Sequence, residues 1–172
     1  MRAVCLREHG GIESLVLDDA FPDPVAGSDQ VVIRVGAASL NYHDVFTCQG
    51  MPGIQVPFPM IIGLDVAGEI VELGQGVSGW SIGDRVLVNP INPDNPKSGL
   101  MGEMVHGGTA EFCLVDVGRL IPIPENVSFE QAAALPVAYG TAHRMLFTNG
   151  GLREGEKVLI LGASGGVGSC CV

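Results

Sequence analysis

The stretch VLILGASGGVG, residues 158–168, decides how the chain is organised. Its first four residues are all apolar, which is typical of a strand buried on both faces. The strand leads into a glycine-rich turn that matches G-x-G-x-x-G, except that alanine takes the first glycine position. In that pattern the turn and the next helix face the pyrophosphate of a dinucleotide. An ordinary tight strand-to-helix turn remains the alternative on these residues alone.

The candidate nucleotide site consists of the residues of this turn. They are Ala163, Ser164, Gly165, Gly166, Val167 and Gly168. Gly165 would let the backbone approach a pyrophosphate, and Gly168 would let the following helix pack closely on the strand. The chain ends before the residue that selects between a ribose hydroxyl and a 2′-phosphate. We therefore expect the front part of a longer enzyme, with residues 156–172 beginning a truncated Rossmann domain.

The composition predicts a folded, mainly β body in front of that segment. The 172 residues are 47% hydrophobic, and 25 glycines and 11 prolines separate short apolar runs. Short runs between turn residues favour strands over a helix bundle. Period-2 alternation is clearest at residues 30–37, and no internal repeat is found.

Charge and cysteine usage exclude several classes of partner. The formal net charge is −10, and the nine Lys and Arg residues are dispersed, which argues against nucleic acid and anionic membranes. Five cysteines without C-x-x-C spacing indicate reduced thiols rather than a disulfide framework or a thiolate zinc site. No secretory leader or membrane span is recognisable. We expect a cytoplasmic protein that acts on a small molecule, and the sequence leaves homo-oligomer formation open.

The order of elements can be read along the chain. Strands are expected at 1–6, 15–19, 30–37, 60–74, 85–88, 109–116 and 120–123. A short helix should follow Asn41, and Ser128 with Gln131 predicts a capped helix at 129–135. Pro136 ends that helix, and a second helix is expected at about 137–147.

Five short motifs, in this order, resemble the medium-chain dehydrogenase/reductase superfamily. They are Asn41-Tyr42-x-Asp44, Gly63-x-Asp65-x-Ala67-Gly68, Gly83-Asp84-Arg85-Val86, Gly107-Gly108-x-Ala110-Glu111 and the closing turn at 163–168. The resemblance implies a GroES-like β-barrel catalytic domain at 1–127, linker helices at 128–155 and a Rossmann domain from 156. It places the active site in the cleft between the two domains.

The same resemblance implies that zinc is absent. Asn41 and Leu64 stand where zinc alcohol dehydrogenases of the superfamily have their first two catalytic ligands, and neither side chain suits zinc. The lobe at 89–108 has none of the four cysteines of their structural site. His43 and His106 could bind a metal only by chance. The chain therefore looks like the zinc-independent branch of quinone oxidoreductases and enoyl reductases.

That branch implies hydride transfer from NADPH or NADH, with NADPH favoured, to a quinone or an activated C=C bond. Reduction of this kind needs a hydrogen-bond donor and a proton source. Tyr42 and Asn41 are the candidates, and Thr141 resembles a nicotinamide-contacting threonine. Tyr42 could instead cap the barrel with a buried ring, and Asn41 could hold the loop backbone. Asp44 is expected to be structural.

A function other than catalysis remains an alternative. The chain could be a zinc-free β-barrel binding or interaction module, or a catalytically inactive homologue. The motifs do not identify the substrate, the choice of nucleotide or the oligomeric state.

Overall fold

The fold is given by a computed structural model that describes all residues from 1 to 172. The eight strands are β1 (Ala3–Leu6), β2 (Leu15–Asp18), β3 (Gln30–Ser39), β4 (Met60–Ile61), β5 (Asp65–Leu73), β6 (Arg85–Val88), β7 (Phe112–Asp116) and β8 (Leu120–Pro122). The α-helices are α1 (Tyr42–Gln49), α2 (Phe129–Ala133), α3 (Pro136–His143) and α4 (Gly166–Cys170). Short 3-10 turns lie at Ile12–Ser14, Pro96–Ser98 and Val117–Arg119, and Arg144–Asn149 is a π-helical turn.

The strands form two antiparallel sheets. β1 lies between β2 and β4 in the smaller sheet, and the larger sheet has the order β7-β3-β5-β6-β8. β1 also bonds the segment that leads into β7, with Val4 N donating to Thr109 O over 2.8 Å. The core of the larger sheet comes from alternate strand residues and one lobe residue, namely Val31, Ile33, Val66, Ile70, Val86, Val88, Met101, Cys113, Val115 and Leu120. This mainly β architecture confirms the predicted fold class.

The predicted single strand at 60–74 is wrong in one respect, because the chain turns a corner inside it. β4 pairs with β1, whereas β5 pairs with β3 in the other sheet. The corner lies at Gly63, whose φ is 101°. A Cβ there would also lie 2.5 Å from Thr109 Oγ1. Glycine therefore suits this position through both its backbone angle and the space available.

The helices after the barrel begin where the sequence places them. Ser128 Oγ accepts from Gln131 N at 3.2 Å, and Gln131 Oε1 accepts from Ser128 N at 2.9 Å, which confirms the capping box. Ala132 and Ala133 pack on Ala67 of β5. The second helix is α3, which continues into the π-helical turn instead of running as one α-helix to residue 147.

The predicted strand at 158–161 is not formed. These residues pair with no other strand, and Leu159 and Leu161 are both 84% exposed. A strand of this kind needs a neighbour for its backbone groups and cover for both faces, and the 172 residues provide neither. The glycine-rich turn and α4 nevertheless follow it, and α4 contacts α3. No helix combines the length and the apolar character that crossing a membrane would require.

Candidate functional site

The loop at the end of β3 is held by the buried carboxylate of Asp44. Asn41 precedes the first residue of α1, and its backbone N–H donates to Asp44 Oδ2 over 2.8 Å. Gly63 N, at the corner between the sheets, donates to Asp44 Oδ1 over 3.1 Å. Asp44 is 4% exposed. These contacts are those of a residue that fixes the loop, as the sequence predicted.

Asp65, the first residue of β5, joins this loop to the helices beyond the barrel. Its Oδ2 accepts from Ser39 Oγ at 2.9 Å and from Asn41 Nδ2 at 2.8 Å. Its Oδ1 accepts from Val137 N at 3.0 Å, in the first turn of α3. Asp65 is 1% exposed. Asp65 belongs to one of the sequence motifs, but the sequence predicted no role for it, because its partners lie 24 to 72 positions away.

Burial dominates the electrostatics of both carboxyls. It raises the pKa of Asp44, although the Asn41 and Gly63 amides and His43 act against it. It also raises the pKa of Asp65, against the hydrogen bonds from Asn41, Ser39 and Val137. Each donor stabilises the ionised form, so the donors offset part of the cost of burying two acids side by side.

Tyr42, the first residue of α1, lies at the surface of the loop. Its side chain is 74% exposed, so the alternative of a ring buried as a cap on the barrel is wrong for this chain. The ring meets Phe46, one helical turn later, in a T-shaped contact with 5.1 Å between centroids. The hydroxyl has no hydrogen-bond partner within the protein and can donate to a bound molecule.

Thr141 and the glycine-rich turn lie on two helices that contact each other. Thr141 lies on α3, one helical turn after Val137, and its side chain is exposed. α3 in turn contacts α4, which begins directly after Gly165. Asn41, Thr141 and the turn are therefore linked through Asp65 and α3.

The glycine-rich turn is closely packed on its inner side, although the strand on which the sequence predicts that the next helix packs is not formed. Gly165 N donates to Gly162 O over 2.9 Å. A Cβ on Gly168 would lie 2.1 Å from the same oxygen, so any side chain there would displace the turn. A Cβ on Gly166 would meet nothing within 4 Å. The turn thus packs tightly on its inner side and leaves open space beside the first residue of α4.

The positions that correspond to zinc ligands do not fit a zinc ion. Leu64 is 3% exposed and offers no donor atom, and the amide of Asn41 is bonded to Asp65. His106 Nδ1 accepts from Ile61 N at 3.2 Å, and burial lowers its pKa. No three His, Cys, Asp or Glu side chains are grouped so that they could hold a metal ion.

The lobe at 89–108 is organised by an arginine. Arg119 is 2% exposed, and its guanidinium donates to Pro90 O at 2.5 Å, Gly99 O at 2.7 Å and Ser98 Oγ at 2.9 Å. Its Nε lies 3.6 Å from Asp116 Oδ2. A rigid planar group with several donors can hold several backbone oxygens at once.

A second pair near the loop was missed by sequence reasoning. His43 Nε2 lies 2.6 Å from Glu103 Oε2, and the two residues are 60 positions apart. Glu103 is 4% exposed. Sequence reasoning treated His43 as an isolated histidine because no motif connects it with the lobe.

These features define a GroES-like domain of the medium-chain dehydrogenase/reductase type. Residues 27–125 match the family model "Alcohol dehydrogenase GroES-like domain", and the chain belongs to that family. The resemblance to the superfamily is therefore confirmed.

Among curated proteins, the chain is 39% identical to the quinone oxidoreductase of Mus musculus over 98% of its own length and 47% of that protein. It is 36% identical to the acryloyl-coenzyme A reductase of Metallosphaera sedula, over 98% of the chain and 53% of that protein. A crystal structure described as an NAD-dependent alcohol dehydrogenase superposes with a TM-score of 0.91 at 35% identity, over 99% of this chain and 53% of that one. The chain thus spans about half the length of the relatives it matches.

Proposed function

We propose that this chain is the N-terminal part of a zinc-independent NAD(P)H-dependent oxidoreductase. In this proposal it transfers hydride to a quinone or to the activated C=C bond of an enone or enoyl thioester. The observation that carries the proposal is the network around Asp65. It fixes Asn41 and the Tyr42 loop to α3, the helix that contacts the glycine-rich turn.

The residues of the turn fit a dinucleotide. Gly166, the first residue of α4, faces open space, so a phosphate could approach the start of that helix. In the proposal, residues 163–168 hold the pyrophosphate and Thr141 contacts the nicotinamide end. The bound nucleotide would supply the hydride. NADPH is favoured by the family resemblance.

The loop would act on the carbonyl end of the substrate. Hydride addition to a conjugated C=C bond develops negative charge on the carbonyl oxygen, which hydrogen-bond donors stabilise. The exposed hydroxyl of Tyr42 is free to donate. Asn41 keeps one N–H beyond the one given to Asp65, and Asp65 holds its amide in a fixed orientation. The pair would therefore polarise the substrate without a Lewis acid.

The proposed site works without zinc. This is supported by Leu64, which has no donor atom, and by Asn41, whose amide is bonded to Asp65. The names of two relatives, quinone oxidoreductase and acryloyl-coenzyme A reductase, support a quinone or an enoyl thioester as the acceptor. A small-molecule substrate is the expected partner, with homo-oligomer formation open to test. Five free cysteines fit a cytoplasmic location.

The test is a substrate panel with the enzyme that contains this chain and a complete nucleotide-binding domain. Oxidation of NADPH and NADH is followed at 340 nm with quinones, enones and enoyl thioesters, and with saturated ketones as controls. We expect turnover with a conjugated acceptor and none with a saturated ketone. Turnover confined to saturated ketones or alcohols would contradict the proposal.

A further inference from the structure

His43 and Glu103 form a pair that the proposed mechanism does not use. His43 follows Tyr42 directly on α1, and Glu103 lies in the lobe at 89–108. We propose that His43 delivers the proton that completes reduction of the substrate, with Glu103 as the residue that positions its ring. This inference rests on the proposed function and assigns the proton source that the reaction needs.

The contact orients the ring of His43. Nε2 lies 2.6 Å from Glu103 Oε2, and the Glu103 carboxyl has no other hydrogen-bond partner in the protein. An ionised carboxylate only accepts, so Nε2 carries the shared hydrogen. Nδ1 has no partner within the protein and is the nitrogen that can bind and release a second proton. The side chain of His43 is 26% exposed, so part of the ring is accessible from solvent.

Close backbone packing keeps Glu103 in place. A Cβ on Gly102, the preceding residue, would lie 2.9 Å from Gly63 N, and one on Gly107 would lie 2.1 Å from Gly63 O. The lobe therefore packs against the corner at Gly63, whose backbone N–H donates to Asp44. The Glu103 side chain is only 6% exposed. A pair held in this way differs from a mobile ion pair at the surface, which contributes little to stability.

Two carboxylates lie near the ring of His43. Glu103 faces it from the lobe, Asp44 follows it on α1, and Asp65 of β5 lies near Asp44. The arrangement resembles a base oriented by a carboxylate, with one ring nitrogen held and the other free to react.

The proton balance is simple. Reduction of an enone adds a hydride, supplied by the reduced nicotinamide, to the β-carbon, and the π electrons move to the carbonyl oxygen. The Nδ1–H bond of the protonated ring then breaks, and the proton goes to the enolate. The products are the saturated carbonyl compound, the oxidised nucleotide and neutral His43. Solvent water returns the proton to Nδ1, so no further reactant is needed.

His43→Gln is the decisive variant. A glutamine amide can still donate to Glu103 and keep the lobe tethered, but it cannot deliver a proton. In the enzyme with a complete nucleotide-binding domain, we expect kcat on an enone to fall about 10²-fold. Glu103→Gln should lower kcat less, because the proton donor is still present.

Chemical rescue separates a proton donor from a structural contact. Imidazole added to His43→Ala should restore part of the turnover, and substituted imidazoles should restore it in proportion to their acidity. The same additives should not help Glu103→Gln. Full turnover in His43→Gln would overturn the inference, as would a folded His43→Ala that no imidazole rescues. If the unsubstituted enzyme oxidises neither nucleotide with any acceptor, the proposed function fails and this inference fails with it.

Discussion

Asp65 is the single residue on which the geometry of the site depends most. Its carboxylate accepts from two side chains of the β3 loop and from the first turn of α3, and it is buried. Loss of an acceptor leaves buried donors unsatisfied, at a cost of about 1–3 kcal/mol. The side chain therefore stabilises the fold and holds Asn41 in one orientation.

We expect Asp65→Asn to lower the free energy of unfolding by about 1–3 kcal/mol, because the amide replaces an acceptor with a donor that faces other donors. Urea unfolding of the chain measures this. Glu69→Gln is the matched control, since Glu69 lies on the same strand, is partly exposed and pairs with the exposed Arg34. A loss at Asp65 no larger than at Glu69 would contradict the assigned role.

The raised pKa of Asp65 gives this destabilisation a pH dependence. Because the folded pKa lies above the ordinary value of 3.8, the folded state holds the proton more tightly than the unfolded state. The stability of the original chain relative to Asp65→Asn is therefore greatest below pH 3.8 and falls as pH rises through the folded pKa. Urea midpoints of both proteins at several pH values, in dilute solution, check the sign. A difference that widens with rising pH would show that the hydrogen bonds outweigh burial.

The exposed hydroxyl of Tyr42 can be tested separately from its ring. Replacing it with Phe removes the exposed hydroxyl and leaves the edge contact with Phe46 in place. In the enzyme with a complete nucleotide-binding domain, we expect turnover on enones to fall by about 10-fold or more while the urea midpoint stays unchanged. Tyr139→Phe removes the chain's other tyrosine hydroxyl and should leave turnover as it is. Equal rates in both variants would assign Tyr42 a packing role only.

Among the elements, the lobe at 89–108 depends on Arg119. Its guanidinium satisfies two buried carbonyls and a serine hydroxyl, where zinc enzymes of the superfamily use four cysteines. The arginine thus links residues 90, 98 and 99 to the end of β7. Since Glu103 lies in the same lobe, the positions of Arg119 and of the His43–Glu103 pair are connected.

We expect Arg119→Met to destabilise the chain by about 3 kcal/mol, because the buried oxygens lose their donors. Arg34→Met is the control, since Arg34 is 58% exposed and its ion pair with Glu69 should contribute less than about 1 kcal/mol. Urea unfolding followed by tryptophan fluorescence measures both. Equal effects at the two positions would contradict a central role for Arg119.

The elements also show what a sequence can predict. β3 forms where the alternation predicts a strand, but Val31, Val32 and Ile33 are all buried, because both faces of the strand are covered there. Ser128 marks its helix through local capping alone. The corner at Gly63 was not predicted, because the glycine signals bending without showing which sheet each half joins. The Asp65–Val137 and His43–Glu103 contacts join residues 72 and 60 positions apart. Such partners are set by the packing of the barrel, which no local pattern encodes.

At the scale of the whole molecule, the site combines a β-barrel loop with helices that lead to a glycine-rich turn. The exposed apolar residues at 158–161 have no partner strand in this chain. A nucleotide site of the Rossmann type is completed by further βα units, which also cover such a strand. Binding and turnover are therefore expected of the larger enzyme, and NADPH should bind the 172-residue chain only weakly.

The proposed reaction is zinc-free hydride transfer to a conjugated acceptor. The test incubates the enzyme that contains this chain with a reduced nicotinamide nucleotide that carries deuterium at both C4 positions, an enone and a metal chelator, and locates the deuterium in the product by NMR. The account predicts deuterium on the β-carbon, at a rate that the chelator does not change, in protein without stoichiometric zinc. Loss of turnover on chelation with recovery on added zinc, or a product without deuterium at the β-carbon, would contradict it.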